Sequence, residues 1–170
     1  MSRDLRFPTS DGVFELRAAA IIVRRPTGDP ADARLLMATN PTCDYAYSIG
    51  GAVEFGETTE EAIAREVCEE TGTRLAIGPL AAIEQVMYTE GGRDWHGVAH
   101  HYWVDVPDDF KPTGTSTGWE GAVETVRWLS LADLDATTFY PACYRDALLG
   151  RWAGVRYFVE RDGHVTEQFQ

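Results

Sequence analysis

The segment from Gly51 to Gly72 constrains the fold more than any other part of the chain, because it predicts a glycine-rich loop followed by one acidic helix. Thr58 and Glu61 have the spacing of a capping box, so we expect the helix to begin at Thr59. Gly72 is the residue type that commonly ends a helix in a left-handed conformation. The segment therefore predicts a helix over residues 59–71.

Carboxylates crowd one side of this predicted helix. Glu66, Glu69 and Glu70 are related as i, i+3 and i+4, and such neighbours have Cβ atoms about 5–6 Å apart. At an effective dielectric constant of about 20, each like-charge pair costs on the order of 3 kcal/mol before screening. Within the helix only Arg65 offsets this charge. The pattern indicates either a solvated acidic face or a site for a hard divalent cation, Mg²⁺ in particular if phosphate also binds.

The same segment resembles the signature of the Nudix hydrolases, which is Gly-x5-Glu-x7-Arg-Glu-U-x-Glu-Glu-x-Gly-U, with U a bulky aliphatic residue. The matching residues of this chain are Gly51, Glu57, Arg65, Glu66, Val67, Glu69, Glu70 and Gly72. Thr73 departs from the pattern at the last aliphatic place, and Ile49 stands where many members have proline before the paired glycines. Neither departure affects an acidic position.

The resemblance implies a metal site built from the helix and the loop before it. Glu66, Glu69 and Glu70 would bind catalytic Mg²⁺ or Mn²⁺, and the carbonyl group of Gly50 would be a backbone ligand. Metal ions in such a site clamp phosphoryl oxygens and lower the pKa of bound water. This is the chemistry that cleavage of a phosphoanhydride requires.

The resemblance also implies roles for the other charged residues. Arg65 would hold the carboxylates in place, and Glu57 would complete the acidic cluster by pairing with Arg65 or by binding a further metal ion. The group that accepts the proton from water would be Glu66 or a carboxylate from a distant loop. Glu120 and Glu124 lie at the far end of a long loop predicted over residues 107–121, and they are the candidates for that distant carboxylate.

Four aromatic residues and one arginine are candidates for contact with a substrate. The set is Tyr47, Phe55, Tyr88, Arg93 and Trp95. Aromatic rings stack on a nucleobase or line a pocket, and the alternative for each is packing in the core. Arg93 would meet a terminal phosphate, and its alternative is plain solvation.

Three histidines close together in the sequence, His96, His100 and His101, suggest either a metal ligand or a general base. His100 and His101 are adjacent on a predicted strand, so their side chains point to opposite faces and cannot easily share a ligand. We therefore expect structural or surface roles for these histidines.

The chain as a whole predicts one domain in which strands dominate. Helical patterns cover residues 59–71 and 141–152. A Gly-Pro pair is expected to interrupt a strand at 78–79, residues 89–97 to form a loop, and residues 155–169 a hairpin. The resemblance implies an α/β (α+β) fold, a Nudix-like α/β/α sandwich with a mixed β-sheet between helices. We expect a core over 13–150 within a single domain 1–170, with 1–12 and 155–170 as added strand and hairpin elements.

Composition restricts the partners of the protein. A net charge of −12, a pI near 4.6 and a single lysine argue against a nucleic-acid polymer and against an anionic membrane surface. The sequence contains no 18-residue apolar run, so it predicts no membrane span. The N-terminus lacks the apolar core of a signal peptide. Three widely spaced cysteines without a Cys-x-x-Cys pair indicate reduced thiols, so we expect a cytoplasmic location.

These observations favour a metal-dependent pyrophosphohydrolase that cleaves a phosphoanhydride bond in a nucleoside diphosphate linked to another moiety, such as a nucleotide, a sugar nucleotide or a dinucleoside polyphosphate. The alternative is a non-catalytic Nudix-like sensor that binds a nucleotide metabolite. The intact acidic signature counts against the sensor, because a binding module has less need of every acidic ligand.

The C-terminal hairpin would lie on the chain's own sheet or pair with a second subunit in a homodimer.

Overall fold

The fold is given by a computed structural model that describes residues 3–107, 109–117, 123–150 and 152–168. The strands of these residues are β1 (Arg6–Pro8), β2 (Val13–Ile21), β3 (Val23–Arg24), β4 (Arg34–Thr39), β5 (Tyr45–Tyr47), β6 (Gly50–Ala52), β7 (Ala76–Glu90), β8 (Arg93–Asp105), β9 (Thr115–Thr117), β10 (Val123–Ser130), β11 (Thr138–Tyr140), β12 (Arg156–Arg161) and β13 (His164–Glu167). The α-helices are α1 (Thr59–Thr71), α2 (Leu131–Ala136) and α3 (Tyr144–Leu148), and a 3₁₀ turn covers Pro30–Asp32.

The strands form two mixed sheets. One sheet has the order β1-β2-β8-β7-β12-β13, with β6 also paired to β2, and the other has the order β11-β5-β4-β10-β9, with β3 paired to β4. Parallel pairs join β2 to β8, β7 to β12 and β5 to β11, while the other named pairs are antiparallel. The expected mixed sheet and the α+β class are confirmed, although the strands divide between two sheets.

Helices cover both faces of the strands, which confirms the expected sandwich of layers. Successive residues of β2 point to opposite faces, as strand geometry requires. Ala20 belongs to the hydrophobic cluster that contains Ile63 of α1, whereas its neighbour Ile21 belongs to the cluster that contains Leu148 of α3. The two apolar layers hold the sheets between α1 on one side and α3 on the other.

Helix α1 has the ends that the sequence predicts. The hydroxyl of Thr58 accepts a hydrogen bond from the Glu61 amide at 3.1 Å, and the Glu61 carboxylate accepts one from the Thr58 amide at 2.8 Å. These two contacts form the capping box. Gly72 ends the helix with φ of 72°, in the left-handed region that glycine adopts without a steric penalty.

The segment after α1 differs from its prediction. Strand β7 continues through the Gly78-Pro79 pair, because shifts in its register with β8 on both sides of Leu80 accommodate the irregular stretch. The prediction of a loop at 89–97 is also wrong, since β8 begins at Arg93 and only Gly91 and Gly92 separate β7 from β8. Their φ values of 59° and 74° suit a two-residue hairpin turn.

The C-terminal part has a shorter helix than predicted and the expected hairpin. The helical pattern over 141–152 yields only α3, because Gly150 adopts a φ of 74° and ends the segment. Strands β12 and β13 pair as a hairpin, and β12 lies parallel to β7 of the same chain. The hairpin therefore extends the chain's own sheet.

Two sequence expectations concern the helices and the cysteines. None of the helices in the described residues is long and apolar enough to cross a membrane. Cys143 is buried, Cys43 and Cys68 are partly buried, and all three are free thiols.

A buried polar cluster links the sheet to α3. His101 is 1% exposed; its Nδ1 lies 2.7 Å from the hydroxyl of Tyr144, and its Nε2 lies 3.2 Å from Oε2 of Glu84. Tyr144 is fully buried, and Glu84 is 3% exposed. Because buried polar atoms need partners, these contacts fix the ring of His101 in the core. The structural role expected for His101 therefore agrees with its position.

We expect Tyr144→Phe to lower the free energy of unfolding by about 1–3 kcal/mol, because it removes the partner of a buried imidazole nitrogen and leaves the apolar packing intact. Urea denaturation followed by tryptophan fluorescence measures the change. Tyr140→Phe is the matched control, since the side chain of Tyr140 is 36% exposed. An equal, small effect of both substitutions would show that the contact with His101 contributes nothing to stability.

Candidate functional site

The site is formed where α1 packs against the paired glycines of β6. A Cβ atom at Gly50, which has φ of 138°, would overlap the carbonyl oxygen of Ala18 on β2. A Cβ atom at Gly51 would overlap the carboxylate of Glu66. Gly50 therefore needs to be glycine so that the loop can approach β2, and a side chain at Gly51 would displace the carboxylate of Glu66.

Glu70 is the most deeply buried carboxylate of the helix, at 4% exposure. Its Oε1 accepts a hydrogen bond from the Gly50 amide at 2.7 Å. Its Oε2 is buried and has no hydrogen-bond partner in the described part of the chain. Burial raises the pKa of Glu70 to about 8, against the opposing effects of the Gly50 amide and the Arg17 guanidinium. The site therefore holds an acceptor oxygen for which the surrounding residues provide no donor.

Arg65 organises the remaining acidic residues. Its Nε and Nη2 donate to the two carboxylate oxygens of Glu57 at 2.9 and 3.0 Å, and Nη2 also donates to the Ala52 carbonyl at 3.1 Å. Its Nη1 donates to Glu66 at 2.6 Å and to Glu69 at 3.5 Å. The two-point ion pair fixes the plane of the guanidinium, so Arg65 and Glu57 together position Glu66.

Ionisation differs among these carboxylates. The hydrogen bonds from Arg65 hold the pKa of Glu57 below its ordinary value. Burial raises the pKa of Glu66, although Arg65 opposes the effect. Two neighbouring carboxylates, Glu66 and Glu70, thus have raised pKa values on the side of the helix that faces the glycine loop. A bound cation would favour their charged forms.

Arg17 is a second cation of the site, and the sequence analysis missed it. Its Nη2 donates to the carbonyl oxygens of Gly50 at 2.5 Å and Ser48 at 3.2 Å. Burial alone lowers the pKa of Arg17, but the charges of Glu15, Glu70 and Glu66 outweigh burial and raise it. A signal was present in the sequence, because Glu15 and Arg17 share one face of an otherwise apolar strand.

Glu124 reaches the site from the second sheet. Its Oε1 accepts a hydrogen bond from the Tyr47 hydroxyl at 2.6 Å. Burial and this contact raise the pKa of Tyr47, and the charge of Glu124 adds to the raised pKa of Glu70. Glu124 and Tyr47 are therefore brought next to the acidic helix. Glu120, the other candidate of the long loop, lies outside the described residues.

Besides Tyr47, the residues expected to contact substrate divide into two groups. Tyr88 and Trp95 are cross-strand neighbours on β7 and β8, and their rings stack with centroids 5.9 Å apart and planes 6° apart. The guanidinium of Arg6 lies 5.9 Å from the centre of the Trp95 ring. Phe55, by contrast, is 68% exposed on the glycine loop, and Arg93 is exposed at the start of β8. The structure brings Tyr88 and Trp95 together and leaves Phe55 and Arg93 on the surface.

The donor set suits a hard divalent cation. The candidate ligands Glu66, Glu69 and Glu70 supply only oxygen atoms, which is the ligand type that Mg²⁺ prefers. The buried Oε2 of Glu70 lacks a partner among the described residues, and the amide of Gly50 donates to the other oxygen of the same carboxylate. In the described residues, no three His, Cys, Asp or Glu side chains converge on one point with the geometry of a metal site. Arg65 and Arg17 instead hold the oxygens of Glu66, Glu69 and Gly50.

Comparison with solved structures shows the fold. The chain resembles a MutT protein from Bacillus halodurans with a TM-score of 0.61 at 15% identity, and the match covers 91% of this chain and 96% of that one. It also resembles the Ap4A hydrolase of Caenorhabditis elegans with a TM-score of 0.54 at 19% identity, over 81% of this chain and 95% of that one.

Comparison with sequences shows the family. A protein of Caenorhabditis elegans named as a nudix hydrolase is 39% identical over 67 residues, which are 39% of this chain and 18% of that protein. The matched segment thus spans less than a fifth of that relative. The profile of the NUDIX domain matches residues 15–148, a range that contains the glycine loop, the acidic helix and strands of both sheets. The chain therefore belongs to the Nudix family.

Proposed function

We propose that the protein is a metal-dependent pyrophosphohydrolase that cleaves a phosphoanhydride bond in a nucleoside diphosphate linked to another moiety. The observation that carries the proposal is the buried carboxylate of Glu70, whose Oε2 has no partner among the described residues and which lies against Gly50 in an oxygen-rich site. Burial makes the charged form of such a carboxylate costly, and a bound cation would stabilise that form. Membership of the Nudix family supports the same conclusion.

The chain's own residues hold the cation and its surroundings in place. Glu66, Glu69 and Glu70 would hold Mg²⁺ or Mn²⁺, which supplies positive charge to phosphoryl oxygens and lowers the pKa of bound water. Arg65, fixed by its two-point ion pair with Glu57, sets the position of the Glu66 carboxylate. Such support keeps the ligands in one geometry as charge develops on the phosphate.

Two carboxylates are candidates to accept the proton from the attacking water. Glu124 is held by the hydroxyl of Tyr47 on the side of Glu70, so it lies where the second sheet meets the acidic helix. Glu66 is the other candidate, and burial raises its pKa above the ordinary value, the direction that makes a carboxylate a stronger base. One oxygen of each carboxylate accepts a hydrogen bond, that of Glu66 from Arg65 and that of Glu124 from Tyr47, so both are candidates for this role.

Aromatic rings near the site support a nucleotide as part of the substrate. The stacked rings of Tyr88 and Trp95 lie on the strand face that also carries Arg17 and Glu15. Aromatic side chains stack on nucleobases without strong preference among them. The similarity to an Ap4A hydrolase agrees with a dinucleoside polyphosphate as the substrate. Nucleotides and sugar nucleotides contain the same type of phosphoanhydride bond.

A substrate panel tests the proposal. The protein should be mixed with Mg²⁺ and nucleoside triphosphates, ADP-ribose, sugar nucleotides and dinucleoside polyphosphates, and the products identified by mass spectrometry. We expect cleavage of at least one nucleoside diphosphate derivative, in water labelled with ¹⁸O that enters a single phosphate product. Tight binding without product across the panel would support a nucleotide sensor in place of an enzyme.

We expect Glu70→Gln to abolish turnover, with a loss of at least about 100-fold, because the substitution removes a ligand charge and keeps the shape of the side chain. Circular dichroism should show an unchanged fold. Glu60→Gln is the matched control, since Glu60 is an exposed residue in the first turn of the same helix. Activity of the Glu70 variant close to that of wild type would contradict the assignment.

The raised pKa of Glu70 predicts how stability depends on pH in a chelating buffer. The folded-state pKa is about 8 and the ordinary value is 4.5, so between these values the folded state binds more protons than the unfolded state. The contribution of Glu70 to the free energy of unfolding therefore falls as pH rises from about 5 to about 8. Melting curves should show that Glu70→Gln becomes more stable relative to wild type across this range. Melting temperatures that change in parallel would be inconsistent with a buried, titrating Glu70.

A further inference from the structure

The guanidinium of Arg17 contacts a backbone oxygen that belongs to the acidic site. Its Nη2 lies 2.5 Å from the carbonyl oxygen of Gly50 and 3.2 Å from that of Ser48. The amide of the same residue, Gly50, donates to Oε1 of Glu70 at 2.7 Å. One residue of the loop thus contacts a cationic side chain through its oxygen and an anionic side chain through its nitrogen.

Arg17 also lies within the field of several carboxylates. The charges of Glu15, Glu70 and Glu66 all act on its guanidinium. Arg65 compensates Glu57 and Glu66 from within the helix, but Glu70 receives no hydrogen bond from Arg65. Among the described residues whose charges act most strongly on Glu70, Arg17 is the positive one, so it offsets the charge of Glu70 when no metal ion is present.

From these contacts we propose that Arg17 is the internal counter-ion of the acidic site and competes with the divalent metal ion for the carbonyl oxygen of Gly50. The inference rests on the proposed metal-dependent function. Mg²⁺ binds an oxygen ligand at about 2.1 Å. A guanidinium nitrogen 2.5 Å from the same oxygen would place two positive charges less than about 5 Å apart, where they repel each other strongly.

The strand provides Arg17 with another partner after such an exchange. Glu15 lies two positions earlier on β2, so both side chains point to the same face of the sheet. Its carboxylate is already paired with the guanidinium of Arg6, and it is 8% exposed. The charge of Glu15 also acts on Arg17, so Arg17 would still face a carboxylate after leaving Gly50, and we regard it as a positioning residue.

Nuclear magnetic resonance of protein labelled with [¹⁵N]arginine tests the exchange in the wild-type chain. The side-chain Nε–H signal of Arg17 is assigned as the one that disappears in Arg17→Lys, and Mg²⁺ is then added to saturation. We expect this signal to shift and its hydrogen exchange with water to accelerate, while the signal of an exposed arginine such as Arg74 stays constant. An unshifted and still protected Arg17 signal at saturating Mg²⁺ would overturn the proposal.

Metal affinity provides the second measurement. Isothermal titration should show that Arg17→Gln binds Mg²⁺ about tenfold more tightly than wild type, equivalent to about 1.4 kcal/mol, because no side chain competes for Gly50. Arg17→Lys, which keeps the charge, should give a smaller change. Arg74→Gln is the control with the same loss of charge at an exposed position. Equal or weaker binding by Arg17→Gln would contradict the competition.

The design separates failure of this inference from failure of the proposed function. If wild type does not bind Mg²⁺, or if Glu70→Gln binds it equally well, the metal-dependent function itself is wrong. If wild type binds Mg²⁺ through Glu70 while the Arg17 signal and affinity remain unchanged, only the inference is wrong. A purely structural role of Arg17 would lower the melting temperature of its variants equally with and without Mg²⁺.

Discussion

The contact between the acidic side of α1 and the glycine loop of β6 is the constraint on which the rest of the site depends. A Cβ atom at Gly51 would meet the carboxylate of Glu66, and one at Gly50 would meet the backbone of β2 at Ala18. Carboxylates in such a place repel each other and lose hydration, and both effects disfavour their charged forms. The fold tolerates this arrangement because arginines from the helix and from β2 surround it, as expected where function outweighs local stability.

The two sheets supply different parts of the site. The seven-stranded sheet provides Arg17 on β2 and the stacked rings of Tyr88 and Trp95. The six-stranded sheet provides Tyr47 on β5 and Glu124 on β10, joined by a hydrogen bond. Because α1 contacts strands of both sheets, its carboxylates lie where residues distant in sequence meet. The family signature accounts for the acidic helix, and the sheets decide what surrounds it.

Local features were predictable from the sequence, and distant contacts were not. The capping box and Gly72 define α1 because both act within one turn of the helix end. Arg17 lies on β2, which is beside β6 only in the folded chain. The sequence of the acidic segment alone therefore indicates Arg65 as the compensating charge. The prediction of a loop at 89–97 failed because two glycines form a tight turn and the flanking polar residues continue the strands. The sequence suggests both Glu120 and Glu124 as the distant carboxylate, and the contact of Glu124 with Tyr47 exists only in the folded chain.

The parallel pairing of β12 with β7 has a consequence for how this protein is made. Strand β7 is 15 residues long, and the segment that covers part of its edge follows more than sixty residues later in the chain. During synthesis that edge remains unpaired until the C-terminal hairpin has emerged, and an unpaired strand edge is a template for association with other chains. A chain that ends before the hairpin would expose this edge permanently, so the last two strands protect the protein from aggregation as well as completing its sheet.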